Sequence, residues 1–148
     1  MRPLSASAPL AADLALLALR LVIGGVMVAH GAQKLFDQGL EATVGGFAGM
    51  GVPMPEVLAP FVIGVELIGG ALIVLGAALP IVGLLVAIDM VVAALLVHAP
   101  FGVFASDGGW ELVAALGAGA LALAVVGGGR FGVDGAVSRR GSRRRVAA

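Results

Sequence analysis

The chain has 148 residues, 60% of them hydrophobic and 12% charged, and a mean hydropathy of +1.11. A soluble domain of this size exposes too much residue surface to carry such a composition, so lipid is the expected solvent. The absence of cysteine excludes disulfides, thiol redox chemistry and thiolate-held metals or iron–sulfur clusters, and a net charge of zero conceals a cluster at Arg139, Arg140, Arg143, Arg144 and Arg145.

Four apolar stretches follow in order: 10–30, 57–79, 81–98 and 111–126. A helix crosses the hydrocarbon with about 20 residues, and about 17 to 25 are tolerated. The pattern predicts an all-α protein, an integral membrane four-helix bundle in a single domain, residues 1–135. Asp13 and Arg20 break the first stretch, which argues against a signal peptide. Between the first two spans, Leu40, Val44, Phe47 and Met50 recur at helical spacing and Gly51, Pro53 and Pro55 follow. That predicts a short interfacial helix in the first outer loop. The second and third stretches form one apolar run of about 42 residues, twice a membrane thickness at about 1.5 Å each. Pro80 interrupts it, so a tight helical turn is expected near residues 76–80. The fourth stretch ends at Gly127–Gly129, and residues 136–148 are expected to be a basic cytoplasmic tail without fixed structure, held on anionic lipid.

Basic residues set the expected orientation. Arg2 and the tail arginines flank the two termini, whereas the 31–55 loop has only Lys34 and the 99–109 loop has none. Positive flanks stay inside, which predicts a multi-pass protein of the inner (plasma) membrane with both termini cytoplasmic. No nucleic-acid partner is expected of a tail tied to a bundle.

Charges inside the spans are the chemically informative part. Counted from the expected helix ends, Arg20, Glu66 and Asp89 fall at nearly one depth on three helices. A charge near the bilayer centre costs at least about 2.5 to 3.5 kcal/mol if unpaired. The economical arrangement turns all three inward, with Arg20 bridging the two carboxylates. One positive and two negative charges leave an excess of minus one, which favours a shared, movable proton. The same network also reads as a purely structural device that fixes helix register.

A second polar layer sits at the outer mouth: His30, Gln33 and Lys34 on the first helix, His98 on the third, Glu111 on the fourth. Their spacings match no compact metal-ligand motif, and no metal is expected. Imidazoles at an interface can donate to a quinone carbonyl, so this layer is the candidate ligand or quinone site; interfacial snorkelling is the plainer alternative. The helical glycines, Gly24, Gly25, Gly64, Gly69, Gly70, Gly83, Gly117 and Gly119, read as packing seams, within the chain or between copies in a homo-oligomer.

Together "RLVIGGVMVAHGAQKLF" (20–36), "FAGMGVPMP" (47–55), "VELIGGALIVLG" (65–76), His98, "WELV" (110–113) and "GGGRFGVD" (127–134) resemble the DoxX family of four-helix membrane proteins. By that resemblance Arg20, His30, Gly31, Gln33, Lys34, Pro53, Glu66, His98, Glu111 and Asp134 occupy the family's signature positions. Members are linked to the membrane subunit of thiosulfate:quinone oxidoreductase, and a mycobacterial relative to a membrane oxidoreductase complex. The resemblance implies a subunit of a membrane oxidoreductase system that binds a quinone or similar lipid. A non-catalytic anchor or assembly factor for soluble redox proteins is the competing reading, and a small proton-linked transporter ranks behind both.

Overall fold

The computed structural model describes residues 8–137; the arginine-rich stretch expected as the tail lies, from residue 138 onward, outside the described residues. Among the described residues there are helices and turns and no strand. Helix α1, Ala8–Ala32, runs on through a π-helical segment, Gln33–Gln38. Helix α2 is Leu40–Gly49, the short helix expected from the Leu40/Val44/Phe47/Met50 spacing. Helix α3 is Pro55–Leu75, α4 is Leu79–Phe101 and α5 is Glu111–Val126.

Three helices are long and apolar enough to cross a membrane: Leu10–Gln38, Pro55–Leu75 and Leu79–Phe101. The expected fourth span, α5, is a shorter apolar helix of 16 residues, about 24 Å at 1.5 Å each. Val22, Ile68, Ile81, Leu95 and Val125 point away from the bundle and are more than half exposed, as side chains bathed by acyl chains must be. Met27, Ile73, Leu79, Val86 and Leu123 fill the interior.

The α3–α4 turn forms where the proline predicted it. Gly76 adopts φ +68°, and the Gly76 and Ala77 amides donate back to Ile73 O and Leu72 O, a Schellman ending. Pro80 then sits in the first turn of α4, where its missing amide costs nothing.

Glycines set the antiparallel register of α1 on α3. A Cβ at Gly24 would lie 2.6 Å from Gly70 O, and one at Gly70 would lie 2.9 Å from Gly24 O. Only glycine at both positions lets the backbones approach this closely. Gly83 does the same for α4 on α5, where a Cβ would meet Ala120 O at 2.7 Å. Gly25 and Gly64 face open space, so the seam reading holds for some of the helical glycines and not for these.

This register overturns the expected triad. Arg20 is buried, but it neither bridges Glu66 nor meets Asp89. Its Nε donates to Ile73 O (3.1 Å), its Nη2 to Val74 O (2.6 Å) and its Nη1 to Gly128 O (2.9 Å). Those carbonyls belong to the last turn of α3 and to the segment just past α5, where helices leave acceptors without amides and carry partial negative charge. The depth count failed because α1 does not stop at His30. It continues to Gln38, and Gly31, not Arg20, packs beside Glu66 and Leu67. Eleven residues separate the two levels, about 16 Å at 1.5 Å each.

Arg20 anchors one end of the bundle, hereafter the closed end. A Cβ on Gly76 would sit 2.7 Å from Arg20 Cζ and from Gly132 Cα, so the turn must be glycine there. Asp134 accepts from the Ala78 and Leu79 amides at 2.9 and 3.0 Å, supplying the first turn of α4 with the cap its own sequence lacks. Asp13 accepts from the Arg130 amide at 2.8 Å. The "GGGRFGVD" segment is thus a latch that ties α1, α3, α4 and α5 together.

Candidate functional site

At the opposite, open end the helices diverge around a cavity of about 470 Å³. Its floor is Met27, Met90 and Leu116, and its cover is Phe47, Met50 and Val52 from α2 and the residues after it. Thr43 holds that cover in place: its hydroxyl, buried, faces Lys34 O at 3.1 Å and Gly39 O at 3.0 Å, tying α2 to the end of α1. The loop between α4 and α5 closes another side through Ala105, Gly108 and Gly109.

Five polar side chains reach this otherwise apolar wall: His30, Lys34, Glu66, Asp89 and His98. Lys34 Nζ lies 2.7 Å from both oxygens of Glu66, whose side chain is 5% exposed. A helical Cα–Cβ bond leans toward the helix N-terminus, so Lys34 reaches back down α1 into the bundle, with its stem covering apolar surface. A buried carboxylate without such a partner would be strongly destabilising, so the pair is first a condition for burying Glu66 at all. His98 Nδ1 lies 2.6 Å from Gly108 O; a carbonyl only accepts, so Nδ1–H donates. Asp89 is different. Its Oδ2 is buried, with no hydrogen-bond partner among the described residues.

Three of these residues lie on π-helical segments: Lys34 on Gln33–Gln38, Glu66 on Val65–Gly69 and His98 on Ala94–His98. Such widened turns re-aim side chains and recur at functional sites. All three occur at the open end.

The candidate outer layer is therefore divided. His30, Lys34 and His98 reach the cavity, joined by Glu66 and Asp89, which were expected deeper. Gln33 instead borders a separate shallow hollow with Ala29, His30 and Asp37. Glu111 accepts from the Ala105 amide at 2.7 Å and braces the loop. Neither touches the cavity. Among the described residues no group of three or more His, Asp or Glu stands close enough to hold a metal ion. Sequence reasoning missed the Lys34–Glu66 pair and the α2 cover; the lysine four residues past His30 was the available signal for the first, had α1 been extended.

The chain matches the sequence pattern of the DoxX family over residues 15–99, more than half its length. It is 36% identical over 91 residues to a protein of Bacillus subtilis (strain 168) named "Putative oxidoreductase CatD", an alignment covering 60% of this chain and 65% of that relative. The chain thus spans just under two thirds of the length of the curated relative it matches. No solved structure matches it. With its all-α fold, its apolar crossing helices and this match, the chain is a membrane protein that belongs to the DoxX family.

Proposed function

We propose that this protein is the membrane subunit of an oxidoreductase system and binds a quinone or a similar lipid in the open-end cavity. The observation that carries the reading is the cavity itself. Ligand sites are typically concave, about 300–1,000 Å³, mostly apolar, with a few polar groups that converge. This one is about 470 Å³, with Lys34, Glu66, Asp89 and His98 set in an apolar wall. The name of the Bacillus relative supports a redox role. The protein lies in the inner (plasma) membrane as a multi-pass protein with both termini cytoplasmic, a reading supported by the sequence positions of Arg2, before the first span, and of the arginines at 139–145, after the last. The cavity then faces the outer leaflet, where the Lys34 and Asp89 side chains would hold the polar head of a quinone, a group whose chemistry would be to take up two electrons and two protons.

The test is direct. The protein is purified in a mild detergent, and its lipid extract is analysed by mass spectrometry beside a titration with a short-chain quinone. Retained quinone, and saturable binding weakened at least about tenfold by the double variant Lys34→Met/Glu66→Leu, which removes the Lys34 donor without stranding Glu66, is the expected result, a factor that corresponds to one lost polar contact. An extract without quinone, together with no saturable binding, would leave the anchoring role as the better account. Cross-linking in native membranes would then find stable partners while cavity variants bind them normally.

A further inference from the structure

Hydrogen bonding around the cavity is unevenly satisfied. Lys34 and Glu66 answer each other. His98 commits its Nδ1–H to Gly108 O, which leaves the other nitrogen of the neutral ring an acceptor. Asp89 Oδ2 has no donor among the described residues. A buried acceptor without a partner is destabilising and rare enough in native structures to require an explanation.

The packing supplies a second observation. The half of α3 nearer the closed end packs on α4: Val65–Gly69 and Gly70–Leu75 both touch Leu79–Ala93. The other half, Pro55–Gly64, packs on α2 and α1, and no comparable packing joins it to Ala94–His98. Phe61, Leu85, Ile88 and Val92 line the cavity and are exposed. The weak packing and these exposed lining side chains leave a gap between α3 and α4 beside the cavity, and Ile88, on the α4 side of it, is the chain neighbour of Asp89.

We infer that the cavity takes a membrane amphiphile whose polar end carries a hydroxyl, the hydroxyl donating to Asp89 and the apolar tail lying in the gap between α3 and α4. The inference rests on the lipid-binding reading above and narrows it. A hydroxyl can donate to Asp89 and still accept the remaining N–H of Lys34, whose other contacts go to Glu66. A carbonyl or an ether only accepts; beside the ionised Asp89 carboxylate it would set lone pair against lone pair, so the probes are compared at a pH where that carboxylate is ionised. The chemistry is shared by two sources, a quinol and an aliphatic lipid alcohol.

The probes are 4-nonylphenol and its methyl ether, alike in tail and different in the donor. Each is titrated into the full chain in lipid nanodiscs. Trp110, the sole tryptophan, sits between the cavity residues Gly109 and Leu112 and reports binding by its emission. The phenol binds at least about tenfold more tightly than the ether in the wild-type chain, and Asp89→Leu removes the preference while leaving ether binding in place. Ile88→Phe narrows the gap without altering the carboxyl group; it weakens both probes and keeps their ratio. Equal affinities in the wild-type chain overturn the hydroxyl assignment and leave the lipid-binding reading standing. No binding of either probe overturns both. If Asp89→Leu fails to fold, the wild-type ratio still decides. A decyl-benzoquinol kept reduced by dithionite, harmless to a chain without cysteine, and farnesol are then run the same way to separate the two sources. The quinone form of that probe binding about tenfold better than its quinol would overturn the assignment.

Discussion

The two ends of this bundle use their polar residues in opposite ways. At the closed end Arg20, Asp134 and Asp13 are spent on backbone groups, on the C-terminal carbonyls of α3, the carbonyl just past α5, the first amides of α4 and the Arg130 amide. At the open end Thr43, His98 and Glu111 also brace backbone, but in the cavity wall Lys34 and Glu66 face each other and Asp89 Oδ2 has no partner among the described residues. The first pattern removes the cost of ending helices inside a bundle; the second keeps unsatisfied chemistry next to space. A polar residue in a membrane segment is therefore not a functional residue by type. What it hydrogen-bonds decides.

The largest expected effect is at the closed end. Arg20→Met removes three charge-assisted bonds, each worth about 1.5–3 kcal/mol, although Ile73 O keeps the Gly76 amide as a donor. The loss is on the order of 5 kcal/mol or more, enough to unfold many domains, whose whole stability is about 5–15 kcal/mol. Arg20→Lys restores little, because a single ammonium cannot reproduce a planar fork spread over two chain segments. Thermal unfolding in detergent measures both. A fully stable Arg20→Met protein would erase the contrast between the ends.

At the open end Lys34→Met strips the partner from Glu66 and should destabilise by about 3–5 kcal/mol. Here the comparison sharpens: the double variant Lys34→Met/Glu66→Leu should regain most of that loss, since an apolar pair can replace a buried ion pair at little cost. No second substitution can do this for Arg20, whose partners are backbone. A double-mutant cycle that shows no recovery would mean that Glu66 is held by more than Lys34.

Adjacent glycines give the next effect. Gly24→Val drives a side chain into the Gly70 backbone and should cost about 1–3 kcal/mol, whereas Gly25→Ala, with nothing within 4 Å of its Cβ, should change stability by less than about 0.5 kcal/mol. Equal effects would disprove the α1–α3 register on which the separation of Arg20 from Glu66 depends.

That register also explains what was legible beforehand. The helices are readable because lipid demands long apolar runs; Pro80 marks the α3–α4 turn, and the Leu40/Val44/Phe47/Met50 spacing marks α2. Side-chain partners were not readable from helix ends, because apolar character fades at His30 while the helix does not. His30 and Lys34 look like an interface, yet the chain continues as helix to Gln38. The glycines carried a better ruler. Pairing Gly24 with Gly70 puts Arg20 opposite Val74, whose carbonyl it reaches, and Gly31 opposite Ile63, one turn from Glu66 and Leu67, beside which it packs. The widened turns that aim Lys34, Glu66 and His98 have no signature in apolar periodicity, so the shape of the cavity could not be anticipated.

The smallest effect on stability is the most diagnostic. Asp89→Leu adds apolar volume that the adjoining cavity can take and removes an acceptor with no partner among the described residues, so it should leave stability unchanged or raise it by about 1 kcal/mol. A residue kept only for packing or pairing would not behave so. Stability gained where a polar group is deleted is the mark of a site held ready for a ligand, because function can require groups that folding alone would discard. Asp134→Ala supplies the opposite sign: it strips a helix cap and should lose about 1 kcal/mol. Unfolding temperatures of the two variants, measured side by side, test the contrast between the two ends with one carboxylate from each. If Asp89→Leu lost as much as Asp134→Ala, Asp89 would have an unseen structural partner, and the open end would be built on the same plan as the closed one.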